Sequence, residues 1–427
     1  MQTLTEIRRK LLAGDYDKKL LELYFEPELL TYQRHRYHQA LTEFEKNFGD
    51  GPACVYSAPG RTEIGGNHTD HQHGQVLAAS IHLDAIAVVR PISEPTIRLL
   101  SDGFDLLTVS LSDNFPISEA DFGTTKSLIR GVCRGFVNNG FSVGGFEAYV
   151  TSDVLIGAGL SSSAAFETLL GTILSSLYNE EKVDAITIAK IGQYAENAYF
   201  GKPCGLMDQM ACSVGNLVHI DFANPDAPIV NRVDVDFDKS GYTLCITDTK
   251  GSHANLTPDY AAIPAEMKAA ATVLGKEFLG QVSLMDVYAN LTAIREKAGD
   301  RAALRAIHFV EENKRVPLEA EALRRKDMPA FLNLIKASGN SSYKYLQNVY
   351  STQDVSTQNV SLALALSEHL LSGEGADRVH GGGFAGTMEA FVPNEKVSAY
   401  RTGMDELFGK DACKVLHIRK CGGVSVM

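Results

Sequence analysis

The chain has no excess of positive charge. Lys and Arg number 40 against 52 Asp and Glu, a formal net charge of −12, which excludes the broad basic face that nucleic acid or an anionic membrane needs. An anionic ligand must therefore be held by a local site, not by the overall field. No apolar run approaches ~20 uncharged residues, so no transmembrane helix is expected. Met1 to Leu20 carries Arg8, Arg9, Lys10, Lys18 and Lys19 among acids and lacks the apolar centre of a signal peptide. Cysteines are few, seven in all and without paired spacing, which points to free thiols in a reducing, cytoplasmic setting. Cys204 and Cys212 have no further partners at zinc-ligand spacing. Internal repeats and low-complexity tracts are also absent.

What is present is an ordinary globular composition, 44% hydrophobic and 22% charged. A chain of 427 residues exceeds one comfortable core, so two domains are expected. Residues 1–48 alternate apolar and charged positions at helical spacing and read as a helical extension of one or two surface helices. From Cys54 to about Val154 the chain reads mostly as short strands, with one helix near Lys126–Asn138. A second helix spans 184–200, stopped by Gly201 and Pro203. The turn-rich Asn224-Pro-Asp-Ala-Pro228 marks a candidate boundary, giving an N-terminal domain over 49–226 and a C-terminal domain over 227–427. Strands and helices intermix in both halves, so the fold class is α+β.

Three glycine-rich segments carry the chemistry. The middle one, Gly157-Ala158-Gly159-Leu160-Ser161-Ser162-Ser163-Ala164, follows a strand-like run ending at Val154 and opens an amphipathic helix with Leu169, Leu170, Ile173, Leu174 and Leu177 on one face. Strand, glycine turn and helix start make an anion site, because backbone N–H groups converge where the helix dipole is positive. The segment lacks the Lys-Ser/Thr ending of a Walker loop and the third glycine of a dinucleotide fingerprint. Taken alone it reads equally as a glycine turn with a serine cap. The first segment, Pro59 to Gly74, sets Arg61, Glu63, Asn67, His68, Asp70, His71 and His73 among glycines. Its histidine spacing does not bring four groups to one side of a strand or helix, which argues against a transition-metal site. The third, Gly381-Gly382-Gly383-Phe384-Ala385-Gly386, precedes an apolar strand-like run from Thr387 to Val392.

In this order the three segments resemble the motifs of the GHMP small-molecule kinases, and within that family the galactokinases, over most of the chain from about Phe44. The resemblance implies an N-terminal domain like a ribosomal-protein domain, a ferredoxin-like C-terminal domain and an active site between them. It implies ATP and Mg2+, with the phosphates cradled by Gly157 to Ala164 and the metal held by Ser163 and Glu196. Asp208, in Cys204-Gly-Leu-Met-Asp-Gln209, matches the catalytic aspartate that orients and deprotonates the sugar anomeric hydroxyl. The Gly, Leu and Met around it would desolvate it and raise its pKa. Arg61 matches the arginine that pairs with this aspartate and faces the moving phosphoryl group. Asn67, His68, Asp70, Gly205 and Tyr260 match the sugar contacts, together with Asp208 itself. Without the resemblance, Glu196 reads as a helix-flank glutamate, Asp208 as a helix cap and Arg61 as a surface residue.

Several positions depart from the family: Asn67 stands where galactokinases carry glutamate, which accepts the sugar C6 hydroxyl, and Glu63 where they carry asparagine. His71 replaces a tyrosine, and Ile263-Pro264 follows Tyr260 where paired arginines are common. The implied activity is phosphorylation of galactose at C1 by a monomer or weak homodimer, with no nucleic-acid or membrane partner. Two alternatives stand beside it: a C1 kinase for galacturonate or an N-acetylhexosamine, and a non-catalytic sugar- and ATP-sensing regulator.

Overall fold

The computed structural model describes residues 1–154, 160–251 and 256–427. Two sheets organise the chain. The larger takes β1 (Gln2–Thr3), β2 (Pro52–Gly65), β3 (Gln75–Pro91), β4 (Thr96–Ser101), β5 (Leu107–Ser110), β6 (Phe146–Ser152), β7 (Leu217–Asp221) and β8 (Ile229–Val233). The smaller takes β9 (Tyr242–Asp248), β10 (Ala376–Val379), β11 (Thr387–Pro393) and β12 (Cys413–Leu416), in the order β10-β11-β9-β12. The last strand, β13 (Val424–Ser425), returns to pair with β2 in the larger sheet. The stretch expected as short strands is instead built on β2 and β3, 14 and 17 residues long. The first glycine-rich segment begins inside β2, where register shifts flank Arg61 and Gly65. Such bulges let a strand run through glycines and re-aim single side chains. Asn224–Pro228 is the turn between the antiparallel strands β7 and β8.

The extension folds into three helices, not one or two: α1 (Leu4–Ala13), α2 (Asp17–Tyr24) and α3 (Pro27–Phe48). Gly14, at φ 83°, ends α1 in the left-handed conformation that glycine adopts without penalty. Leu4, Ile7, Leu11, Tyr37 and Phe44 of these helices pack on Val55, Ile86 and Val88 of the larger sheet. Against its other face lie α4 (Thr125–Asn138), α5 (Ser162–Tyr178), α6 (Ala185–Tyr194) and α7 (Met207–Val214). The helix expected over 184–200 ends in a π-helical turn, Ala195–Phe200, which carries Glu196, and Gly201 at φ 76° closes it.

The end of α11 (Asp300–Arg324) and α12 (Met328–Ser341) pack on Leu244, Ile246 and Phe391 of the smaller sheet, α13 (Asn359–Leu371) and α14 (Val397–Phe408) pack on its Cys245, Met388 and Val392, and α8 (Thr257–Val273), α9 (Leu284–Ala289) and α10 (Leu291–Ala298) cluster on α11. One apolar cluster joins Ile64, Leu77 and Leu160 to Ile246, Leu323, Phe331 and Phe391, so the two sheets share a core. Among the described residues no helix is long and apolar enough to cross a membrane.

Candidate active site

Arg61 and Asp208 meet although 147 residues separate them. Arg61 Nε and Nη2 donate to Asp208 Oδ1 and Oδ2, each at 2.7 Å, the two-point geometry that makes arginine–carboxylate pairs strong and directional. Arg61 is 7% exposed, whereas the Asp208 side chain is 31% exposed, so only the aspartate opens to a ligand. Burial alone would raise the Asp208 carboxyl, but the Arg61 charge, its hydrogen bonds and the Ser161 hydroxyl hold it below the usual carboxylate range. The expected upward shift is therefore reversed: apolar surroundings desolvate the acid, and the buried guanidinium outweighs them. Asp208 is ionised at neutral pH and can take up a proton.

The start of α5 adjoins this pair. Arg61 N–H donates to Leu160 O at 3.2 Å, and a Cβ on Gly60 would lie 2.9 Å from the same oxygen, so glycine is needed for the close approach. Ser161 caps α5 in the left-handed conformation at φ 53° and donates its hydroxyl to Asp208 Oδ2. Gly157, Ala158 and Gly159 lie outside the described residues; Leu160, Ser161, Ser162, Ser163 and Ala164 form the helix start itself.

Ser163 Oγ donates to Glu196 Oε1 at 3.0 Å. Glu196 is 2% exposed and is also bonded by Lys202 Nζ at 3.2 Å and Gln209 Nε2 at 2.8 Å. Gln209 shares its amide with Glu167 Oε2 at 3.1 Å, and burial together with the Glu196 charge pushes the Glu167 carboxyl well up. The hydroxyl and carboxylate suit a hard cation: neighbouring oxygens of an octahedral Mg2+ at about 2.1 Å stand ~3.0 Å apart.

The first and third glycine segments are stitched together beside the pair. His68 Nε2 donates to Gly382 O at 3.1 Å, leaving Nδ1 to face His71 Nε2 at 3.1 Å. Burial and the neighbouring His71 push the His68 ring down to about 3. Asp70 accepts from the His71 backbone at 2.9 Å, and a Cβ on Gly205 would fall 2.0 Å from Asp70 Oδ2, so these two expected contacts touch. Tyr260, on α8, donates to Gly383 O at 2.9 Å, and burial raises its hydroxyl to about 12.

Asn67 differs from its expected place. It is fully buried, and its amide is engaged at four points. Nδ2 donates to Glu63 Oε1 at 3.0 Å and Gly381 O at 2.7 Å. Oδ1 accepts from Ser342 at 3.2 Å and Asn348 at 2.8 Å. No hydrogen-bonding capacity remains for a sugar. Glu63 is likewise committed, accepting from Arg378 Nη2 at 2.7 Å. Arg378 is fully buried and also donates to Ile64 O at 2.7 Å.

Sequence reasoning missed Ser161 as a partner of Asp208, Gln209 as the bridge between Glu196 and Glu167, and Arg378 as the partner of Glu63. Gln209 closes the same short pattern that contains Asp208 and could have been found there. Arg378 carries no local signal.

Residues 42–91 match the galactokinase galactose-binding signature, and residues 127–216 match the N-terminal domain of GHMP kinases. The galactokinase of Streptomyces coelicolor is 29% identical over 378 residues, 87% of this chain and 92% of that protein. The galactokinase of Glaesserella parasuis is 29% identical over 382 residues, 86% of this chain and 93% of that one. Among solved structures, Lactococcus lactis galactokinase complexed with galactose superposes with a TM-score of 0.76 at 24% identity, covering 90% of this chain and 98% of that one. Methanococcus jannaschii mevalonate kinase gives 0.61 at 16% identity over 86% of this chain and 99% of its own. Arg61 falls within the first matched region and Asp208 within the second, so the pair joins the two, and the relatives that the chain resembles over most of its length are galactokinases.

Proposed function

We propose that the chain is an ATP-dependent galactokinase that phosphorylates galactose at its anomeric C1 hydroxyl. The observation that carries this reading is the two-point Arg61–Asp208 pair at the start of α5, with Asp208 half open and ionised. Asp208 accepts the C1 hydroxyl proton as that oxygen bonds the γ-phosphorus of ATP, and the bond from the γ-phosphorus to the bridging oxygen breaks to leave ADP. Positioning and charge stabilisation dominate such transfers. Arg61 supplies fixed positive charge beside the moving phosphoryl group and holds the Asp208 carboxylate in orientation.

The segment from Gly157 to Ala164 cradles the phosphates. Ser163 and Glu196 would hold Mg2+, which when bound neutralises phosphate charge. His68, Asp70, Gly205 and Tyr260 surround the sugar, and Asn67 acts behind it, as a joint between the two glycine segments. The nucleoside is assigned to a cleft of about 710 Å3 beside the first turn of α5, lined by Leu83, Ser101, Phe104, Val154, Ser162 and Phe166. Phe104 is 69% exposed there, a large apolar ring left open beside the phosphate segment. Neither the related-sugar kinase nor the regulator is favoured by the relatives, which are galactokinases. ADP release measured with and without galactose, with 31P NMR of the product, tests the reading. ATP consumption that ignores galactose, or phosphate found on another hydroxyl, would overturn it.

A further inference from the structure

The first family match begins at residue 42, yet α3 begins at Pro27 and its Tyr32 lines the nucleoside cleft. Tyr32 lines that cleft together with Phe104 and Phe166. Its hydroxyl donates to Asp153 Oδ1 at 2.9 Å, and its ring remains 50% exposed. One turn further along the same face, Arg36 is 6% exposed and bonds Asp153 Oδ2 at 3.1 Å and the fully buried Asp84 at 2.7 Å. Residues four apart lie one above the other on a helix. The buried Arg36 anchor therefore fixes where Tyr32 stands, and both clamp the residue directly before Val154 and the phosphate segment. A second cavity of about 240 Å3 shares Tyr32, Asp102 and Asp153 with the cleft and is lined further by His35, Arg36 and Gln39 of α3 and by Tyr149 of the sheet.

Resting on the assignment of the nucleoside to this cleft, we infer that the N-terminal extension is part of the nucleotide site, with the Tyr32 ring forming a wall for the purine base. A planar, half-exposed aromatic ring whose hydroxyl is pinned to the sheet offers a rigid apolar surface at little entropic cost. The core fold supplies Phe104 on a loop, and the extension supplies Tyr32 from a helix that is locked in place.

The test is calorimetric titration of the full-length protein with ADP and with inorganic tripolyphosphate, which has phosphates but no base. The galactose KM and the melting temperature are measured alongside. Tyr32→Ala should weaken ADP by about 3- to 10-fold, the range of one aromatic contact. Tripolyphosphate, galactose KM and melting temperature should stay unchanged, and Tyr32→Phe should bind ADP like the wild type. If Tyr32→Phe loses as much as Tyr32→Ala, the hydrogen bond to Asp153 matters and the wall does not, and the inference fails. ADP binding unchanged in Tyr32→Ala but weakened in Phe104→Ala would overturn the role of the extension while leaving the cleft assignment standing. ADP binding unchanged in both variants would overturn the cleft assignment and the inference with it. Equal loss of ADP and tripolyphosphate would place Tyr32 in the phosphate segment's support and also overturn the inference.

Discussion

Replacing Arg378 by methionine should loosen the joint between the two sheets in a way that can be measured. Arg378 Nη2 reaches Glu63 Oε1 at 2.7 Å, Nη1 reaches Ile64 O at 2.7 Å, and Glu389 Oε1 stands 3.7 Å away. All of these side chains are at most 5% exposed. Methionine matches the bulk and removes the charge, leaving Glu63 and Glu389 buried without their cation. Breaking a buried pair from one side costs about 3–5 kcal/mol. For a chain of 427 residues, unfolding entropy of about 2.1 cal/mol/K per residue sums to roughly 0.9 kcal/mol/K, so the melting temperature should fall by ~3–6 °C. Glu63 also holds Asn67, and Asn67 holds Gly381 beside His68, so the galactose KM should rise as well. Burial already pushes Glu389 well up and Glu63 above the usual value, with Arg378 opposing both. Without the guanidinium both rise further. The unfolded chains titrate alike, so the deficit against wild type should be smallest in acid, where these carboxyls are protonated in both proteins, and grow as pH rises through their raised folded values. Calorimetry at acid and neutral pH, with galactose kinetics on the same samples, measures all three effects. Adding Glu63→Gln to Arg378→Met should recover part of the loss, because one stranded charge is gone. A melting temperature within about 1 °C of wild type together with an unchanged galactose KM would refute the joint.

Asp208→Asn keeps the shape but cannot accept the proton, so kcat should fall by ~10²–10⁴-fold or more with little change in ATP KM; near-normal turnover would remove Asp208 from the chemistry. Glu196→Gln should raise the Mg2+ concentration needed for half-maximal activity while leaving the galactose KM alone, and an unchanged Mg2+ profile would reduce Glu196 to a structural partner of Lys202 and Gln209. Because the polar atoms of Asn67 and Glu63 are engaged by protein partners, kcat/KM for galactose over 6-deoxygalactose should stay below the ~10-fold that one charged hydrogen bond yields. Asn67→Glu, which sets a second carboxylate against Glu63, should lower the melting temperature and not sharpen that preference; strong rejection of 6-deoxygalactose by the wild type would show a C6 contact elsewhere. His417 lies 2.9 Å from Glu26 and 3.0 Å from Asp238. Burial works against its cation, but the two carboxylates prevail and raise its pKa. The stability His417 adds is therefore complete below the ordinary histidine value, about 6.5, and lost as pH climbs through the raised folded value. His417→Gln should be less stable than wild type in mildly acid buffer and converge with it in alkali; a gap independent of pH would dismiss the ion pairs.

Local pattern along the chain encoded the elements and motifs that need no distant partner. Glycines before an amphipathic run announced α5, Gly201 and Pro203 announced the stop after residue 200, and the three glycine segments carried the family. Arg61, Asp208 and Ser163 were legible as candidates because each lies in a short motif that resembles the family's, and Glu196 only as the matched glutamate on a later helix. Whatever depends on the group standing opposite was set by packing. It joined Arg61 to Asp208 across 147 residues, and that buried cation reversed the pKa shift that the apolar neighbours of Asp208 suggested. Asn67 was turned inward by Ser342, Asn348 and Gly381, and Glu63 was given to Arg378, none of them near in sequence. Helical and strand periodicity reach only a few residues along the chain. The partner of a buried polar group is set by which strand or helix packs against it, and an unpaired one is too costly to keep.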